Sequence, residues 1–276
     1  MPIKRIFTRL VPPPETLLLM GSPSREGLQP AFSLLVWNMF KGKRATWLRD
    51  LRRLSGHADL LLLQEAMLHN SSRDFFHTST RHEWIMAQSF SSVRGKSTTG
   101  VKTGSVAAAV DTLVYLSPHR EPLVNTPKLI LVTRYPILGS RERLLTINVH
   151  ALNFASTRRF GLQMEQFAES VEQHHGPVVL GGDFNTWSRS RRDVLTRLIA
   201  KLGLAPVPFG SPGRLRHLRR VLDHVFVRGI KVIAARAMEE VRSSDHLPLE
   251  LRLEILDGHG LHHGAHHASL PAKSRE

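Results

Sequence analysis

The chain has 276 residues, 41% hydrophobic and 22% charged, a globular composition long enough for one large domain or two small ones. It contains no cysteine, which excludes disulfide scaffolds, thiolate metal sites, iron–sulfur clusters and cysteine nucleophiles. With 38 Lys and Arg against 23 Asp and Glu, the formal charge is +15, which suits an anionic partner such as nucleic acid, a phosphorylated substrate or an acidic membrane.

Residues 1–30 are rich in Pro, Ser and Gly and read as an irregular N-terminal extension. Pro12-Pro13-Pro14 interrupts the basic start, and Leu17 to Met20 is a short apolar stretch. It does not read as a signal peptide. No apolar run approaches the roughly 20 residues needed to span a bilayer. The expectation is a soluble cytoplasmic protein.

From Ala31 the pattern becomes dense. Phe32 to Trp37 is a buried strand ending at Asn38. Trp47, Leu48, Leu51 and Leu54 recur at helical spacing, with Gly56 as the stop. Asp59 to Leu63 is a second buried strand, ending at Gln64-Glu65. Residues 91–104, rich in Ser, Thr, Gly and Lys, read as a surface loop, and 106–110 and 128–133 as strands. Leu145, Ile147 and Val149 alternate with Thr146, Asn148 and His150, a half-buried strand with a polar face. Phe160, Met164, Phe167, Ala168 and Val171 form one helical stripe. Val178 to Leu180 is a strand leading into Gly181-Gly182-Asp183, and 194–202 a helix. Strands follow over 221–227, 231–236 and 247–255. The core is thus 31–256, a mixed α/β domain with at least one sheet covered on both faces. Beyond Asp257 the chain is rich in Gly, Ala and His, and 257–276 is expected to be a mobile His-rich tail.

Six polar clusters stand just after apolar runs: Asn38, Glu65, His150 with Asn153, Asp183 with Asn185, Asp223, and Asp245-His246. Sites in α/β proteins collect at one end of the strands. A lone carboxylate there is usually a turn or cap residue, but six clusters together point to a site. Hard oxygen ligands without thiols suit Mg²⁺ or Mn²⁺ better than zinc, and Glu65 with Asp245 is enough for such an ion. Asp183 can act as a base, and Asn185 can face the same ligand. His246 paired with Asp223 can stay cationic against phosphate.

These clusters, in this order, resemble the endonuclease/exonuclease/phosphatase superfamily, and more closely its bacterial YafD-like branch. The strongest motif is Gly182-Asp183-Phe184-Asn185, some sixty residues before Ser244-Asp245-His246. The resemblance implies a DNase I-like four-layer sandwich of two facing mixed β-sheets flanked by helices. It implies Glu65, Asn38 and Asp245 as metal ligands. Asp183 would position or deprotonate water, Asn185 would contact the phosphate, and His246 would be oriented by Asp223. His150 and Asn153 would contact phosphate or assist the leaving group, and Thr103 and Ser105 would supply hydroxyl contacts. The family's abasic-site endonucleases usually carry Tyr where this chain has His150. The expected activity is metal-dependent phosphodiester hydrolysis, with DNA or RNA the favoured substrate. A phosphoesterase on lipid or small phosphorylated molecules is the first alternative, and a non-catalytic phosphate- or nucleic-acid-binding module the second. The expected protein is a monomer without stable membrane insertion, and Arg189 to Arg192 and Arg214 to Arg220 are candidate phosphate contacts.

Overall fold

A computed structural model describes residues 8–10, 16–92, 97–120, 127–209 and 222–256. In chain order the strands are β1 (Thr8–Leu10), β2 (Leu17–Gly21), β3 (Ala31–Asn38), β4 (Leu60–His69), β5 (Glu83–Ser92), β6 (Ser97–Ser105), β7 (Asp111–Arg120), β8 (Pro127–Pro136), β9 (Arg143–His150), β10 (Val178–Asp183), β11 (Ala205–Pro206), β12 (Asp223–Arg228), β13 (Ile230–Ala237) and β14 (Leu249–Ile255). The helices are α1 (Trp47–Ser55), α2 (Asn70–His77), α3 (Thr157–Glu165), α4 (Ala168–Glu172) and α5 (Arg189–Lys201).

One sheet runs β1-β5-β6-β4-β3-β14-β13, with β2 also on β5, and the other β11-β12-β10-β9-β8-β7. Their centres are the parallel pairs β3/β4 and β9/β10. β3, β4 and β10 are near-continuous apolar runs because neighbours cover both of their faces. Between the sheets lie Val36, Leu60 and Leu62 from one and Tyr135, Leu144, Val179 and Val225 from the other. Trp37, Leu51, Leu63 and Phe76 fill the layer under α1 and α2, and Ile147, Phe160, Leu180, Leu195 and Ile199 the layer under α3, α4 and α5. Each fully buried Leu, Ile or Phe contributes about 1.5–3 kcal/mol by leaving water. The result is four layers, helix–sheet–sheet–helix, with β3, β9 and β10 ending at Asn38, His150 and Asp183 and β4 carrying Glu65 at a bulge in its middle.

Several expectations change. Leu17–Gly21 is a strand on β5, and Leu28 is fully buried, so 17–30 is part of the fold. Most of 91–104 is not a loop: Ser97–Ser105 is a central strand. Its glycines admit close neighbours, since a Cβ at Gly104 would stand 2.4 Å from the Trp84 ring. Residues 106–110 hold only an isolated bridge at Ala107. The β9 polar face is not wet, because Thr146 and Asn148 are fully buried against the other sheet. The helical stripe over 160–171 is broken between α3 and α4. Segment 257–276 and the run Arg214 to Arg220 lie outside the described residues. Among the described residues no helix is long and apolar enough to cross a membrane.

Lys102 on β6 is fully buried, its Nζ 3.1 Å from the centre of the Phe76 ring and, among the described residues, without a hydrogen-bond partner. Burial holds its amine well below the usual lysine range. The unfolded chain keeps this proton up to about pH 10.4, so folding becomes easier as pH rises toward that value. Lys102→Met keeps the volume and removes the cost. It is expected to raise Tm at pH 7 by at least about 2–4 °C, with the gap closing near pH 10; an unchanged or lower Tm at pH 7 contradicts this.

Candidate active site

Asp183 closes β10 and is 3% exposed. Its two oxygens are fixed separately. Asn38 Nδ2 donates to Oδ2 at 2.9 Å, and the Asn185 backbone N–H donates to Oδ1 at 2.9 Å. Residue 182 must be glycine here: its φ is +144°, and a Cβ would lie 2.0 Å from the Val149 carbonyl oxygen. β12 pairs with β10 so that Asp223 stands directly across from Asp183. Asp223 Oδ2 accepts from His246 Nδ1 at 2.8 Å. The His246 backbone is held too, its carbonyl by Trp37 Nε1 and its N–H by Ser244 Oγ.

The electrostatics divide these groups. Burial raises the Asp183 pKa, the His246 charge opposes it and Asp223 adds to it, leaving about 6. Burial works to lower the His246 pKa, but the Asp223 charge and hydrogen bond, with Asp183 and Asp245, outweigh it and raise it to about 10. His246 is therefore an imidazolium at neutral pH. Asp183, Asp223 and His246 each place a ligand atom within 4.8 Å of the others. A cation taken up by this trio would have to displace the imidazole proton first, which favours Glu65 as the principal ligand.

His150 ends β9 beside Asp183. Its Nε2 lies 3.9 Å from Asp183 Oδ2, 4.0 Å from Glu65 Oε1 and 3.0 Å from Lys128 Nζ. Burial, then the charges of Lys128, Lys41 and His246, hold its pKa well below the usual value, despite the two carboxylates. The neutral ring thus accepts from the Lys128 ammonium.

Glu65 sits at a bulge in β4 and is half-buried. Its nearest basic neighbours, the Lys41 Nζ and the neutral His150 Nε2, both stand at 4.0 Å, so among the described residues its lone pairs are not taken by hydrogen bonds. A hard divalent cation fits such a carboxylate. Asn38 is linked to Asp245 through Ser244, whose Oγ donates to the Asn38 carbonyl at 2.7 Å and lies 3.4 Å from Asp245 Oδ1. Contacts therefore run unbroken from Glu65 through His150, Asp183, Asn38 and Ser244 to Asp245.

Five non-glycine residues have positive φ among the described residues: Phe40, Lys41, Glu65, Phe154 and Asn185, at 44–55°. All five lie in or beside these strand-end segments. Strained backbone concentrates where surrounding structure enforces it for function.

Two predicted substrate residues are not at the site. Thr103 is fully buried, and its hydroxyl accepts from Asn148 Nδ2 between the sheets. Ser105 is also fully buried; it caps the Ala107 N–H and pairs with Leu60, five residues before Glu65, or about 17 Å along the strand. Neither hydroxyl reaches solvent. Asn153 is half-buried at the rim, its Oδ1 accepting from the Phe154 N–H.

Other residues at the site escaped the sequence reading. Lys128 is a single lysine in an apolar strand, with no local signal. Gln163, in the last turn of α3, donates to the His150 carbonyl and accepts from the Leu152 N–H. Arg191, one of the candidate phosphate contacts, is fully buried and cannot reach a substrate phosphate. Its guanidinium donates to the carbonyls of Leu152, Asn185 and Ala155, tying the loop after His150 to the loop after Asp183. No periodicity separates it from Arg189 and Arg192.

Two bacterial relatives extend the likeness beyond the site. The UPF0294 protein of Erwinia tasmaniensis is 36% identical over 265 residues, 92% of each chain. The UPF0294 protein YE0917 of Yersinia enterocolitica is 37% identical over 78% of this chain and 81% of its own. Among solved structures, the endonuclease/exonuclease/phosphatase from Beutenbergia cavernae superposes with a TM-score of 0.60 at 17% identity, covering 82% of this chain and 72% of its own. The human Nocturnin catalytic domain with bound sulfate gives a TM-score of 0.60 at 14% identity, over 89% of this chain and all of its own. The four layers are thus the DNase I-like fold. Members of this group are generally hydrolases of phosphoester bonds that use a divalent metal. The Endonuclease/Exonuclease/phosphatase family model matches residues 35–246, from the strand before Asn38 to His246, and the chain belongs to that family.

Proposed function

We propose that the chain is a Mg²⁺- or Mn²⁺-dependent phosphodiesterase acting on nucleic acid. The observation that carries this reading is geometric: the Asp183 carboxylate, aimed by Asn38 and Asn185, lies within 4.8 Å of the Asp223-paired His246 ring, and the raised pKa values of both groups agree with it. A base that titrates near neutral pH and a fixed cation for developing negative charge are what in-line attack of water on phosphorus needs.

Asp183 takes the proton of the attacking water, and Asn38 and Asn185 keep its carboxylate aimed. His246, oriented by Asp223, balances the charge that grows on the phosphoryl oxygens. The new P–O bond forms as the ester P–O bond breaks, leaving a phosphomonoester and an alcohol that recovers a proton. His150 and Asn153 bind the phosphate on the leaving side, and Asn185 binds a non-bridging oxygen. Glu65, with Asn38 and Asp245, would hold the divalent ion, which supplies Lewis-acid polarisation of the phosphate. The formal charge of +15 favours a polyanionic substrate over a small one.

The test is hydrolysis of single- and double-stranded DNA, RNA, a phospholipid and bis(p-nitrophenyl) phosphate, each with Mg²⁺ or Mn²⁺ and with chelator. Cleavage of a nucleic acid, abolished by chelation and restored by the ion, is expected. Cleavage of the lipid alone would refute the nucleic-acid reading. No cleavage of any diester would refute the activity itself.

A further inference from the structure

Phe154 is the most unusual residue near the site that the mechanism above does not use. Its side chain is 64% exposed. Its φ is +44°, a conformation rare for a bulky residue. The loop that imposes this is over-determined. The buried guanidinium of Arg191 binds the carbonyls of Leu152 and Ala155, on either side of Phe154. That guanidinium in turn lies 4.7 Å from the centre of the Trp187 ring and 5.0 Å from that of Phe160. The Asn185 amide holds the Ala151 carbonyl at 3.0 Å. The ring is therefore presented to solvent on a rigid mount, one residue beyond Asn153. Core packing cannot explain it, since most of the ring is outside the core.

The surroundings are strongly cationic. Thr157 and Ser190 bring α3 and α5 together, their hydroxyl oxygens 3.1 Å apart. Arg158 and Arg159 on α3 and Arg189 and Arg192 on α5 are all exposed. Among the described residues none of the four is in an ion pair. Four like charges gathered on two touching helix ends repel one another, and a polyanion would relieve that repulsion.

We propose that Phe154 and these four arginines form a subsite for single-stranded nucleic acid next to the scissile phosphate. Phe154 stacks on an exposed base, and the arginines take the flanking backbone phosphates. This rests on the nucleic-acid reading and adds its strand preference. An aromatic platform needs a free base face, which a duplex hides within its stack, and stacking of this kind tolerates any sequence. A lipid surface is the weaker occupant. Insertion asks for a broad apolar face, and among the described residues Leu162 is the one large apolar side chain exposed on the neighbouring α3.

The test is binding of a fluorescein-labelled single-stranded 12-mer and of the same sequence as duplex, by anisotropy, with chelator present to stop hydrolysis. Wild type is expected to prefer the single strand. Phe154→Ala should weaken that binding at least about fivefold, from the usual worth of one base stack, and Phe154→Trp should restore it. Arg158→Gln with Arg189→Gln should lower the salt slope of log Kd by about 1.4. Hydrolysis of bis(p-nitrophenyl) phosphate, run in parallel, reports on the active site separately. Equal binding by wild type and Phe154→Ala, or preference for the duplex, overturns the subsite even if the small diester is hydrolysed. Loss of binding to phosphatidylserine vesicles with unchanged oligonucleotide binding also overturns it. If the small diester is not hydrolysed but the oligonucleotide behaves as expected, the catalytic reading fails and the subsite stands.

Discussion

Asp183→Asn is expected to lower kcat for phosphodiester hydrolysis about 10³-fold, the usual span for a lost general base, while KM changes little. The substitution keeps the shape of the side chain. It removes the one carboxylate whose two oxygens are both held by neighbouring amides and whose buried position lifts its pKa to about 6. The sign of the accompanying pH dependence follows. The working form is the carboxylate, so wild-type kcat/KM should fall as pH drops through about 6, as the group gains its proton. Asp183→Asn should lack this acid limb. Initial rates on bis(p-nitrophenyl) phosphate between pH 5 and 8, with Tm measured on both proteins, decide the matter. A variant that keeps wild-type turnover removes Asp183 from the chemistry.

His246→Ala is expected to cost about 10²–10³-fold in kcat, the range for losing one preorganised donor to a developing charge. Asp223→Asn should cost less but change the pH profile in a characteristic way. Burial alone would lower the His246 pKa, and Asp223 has the largest effect of the carboxylates that oppose this. Without that carboxylate the imidazolium loses its proton at lower pH, so the alkaline limb of kcat should move toward neutrality. An alkaline limb in the same place as wild type would mean that Asp223 does not hold His246 in its charged form.

The fold was legible where burial is two-sided. β3, β4 and β10 are apolar runs because neighbours cover both faces, and each ends at a polar residue that the sequence already singles out. β6 was illegible because its Ser, Thr, Gly and Lys content matches a loop. It is a strand because Gly104 lets the Trp84 ring lie against it, and it forms despite the cost of burying Lys102. β9 hides its polar face for a similar reason: Asn148 hydrogen-bonds Gln64, Thr103 and two backbone carbonyls of the facing sheet, which no alternation pattern reveals. At the site, the strand-end acids and amides were readable from position alone. Thr103 and Ser105 were misplaced because a hydroxyl near a motif carries no sign of which way its strand faces. Lys128, Gln163 and Arg191 were missed because their partners are distant in sequence and several are backbone carbonyls, which leave no mark on residue type.

The central claim is that separate strand ends act as one unit on one phosphorus atom, and the double variant Asp183→Asn/His246→Ala tests it most directly. Groups that serve the same transition state are strongly non-additive. Measured on a single diester beside both single variants, the double variant should be no more than about tenfold slower than the worse of the two. A loss equal to the product of the single losses would mean that the two residues act independently, and the shared catalytic cleft would have to be abandoned.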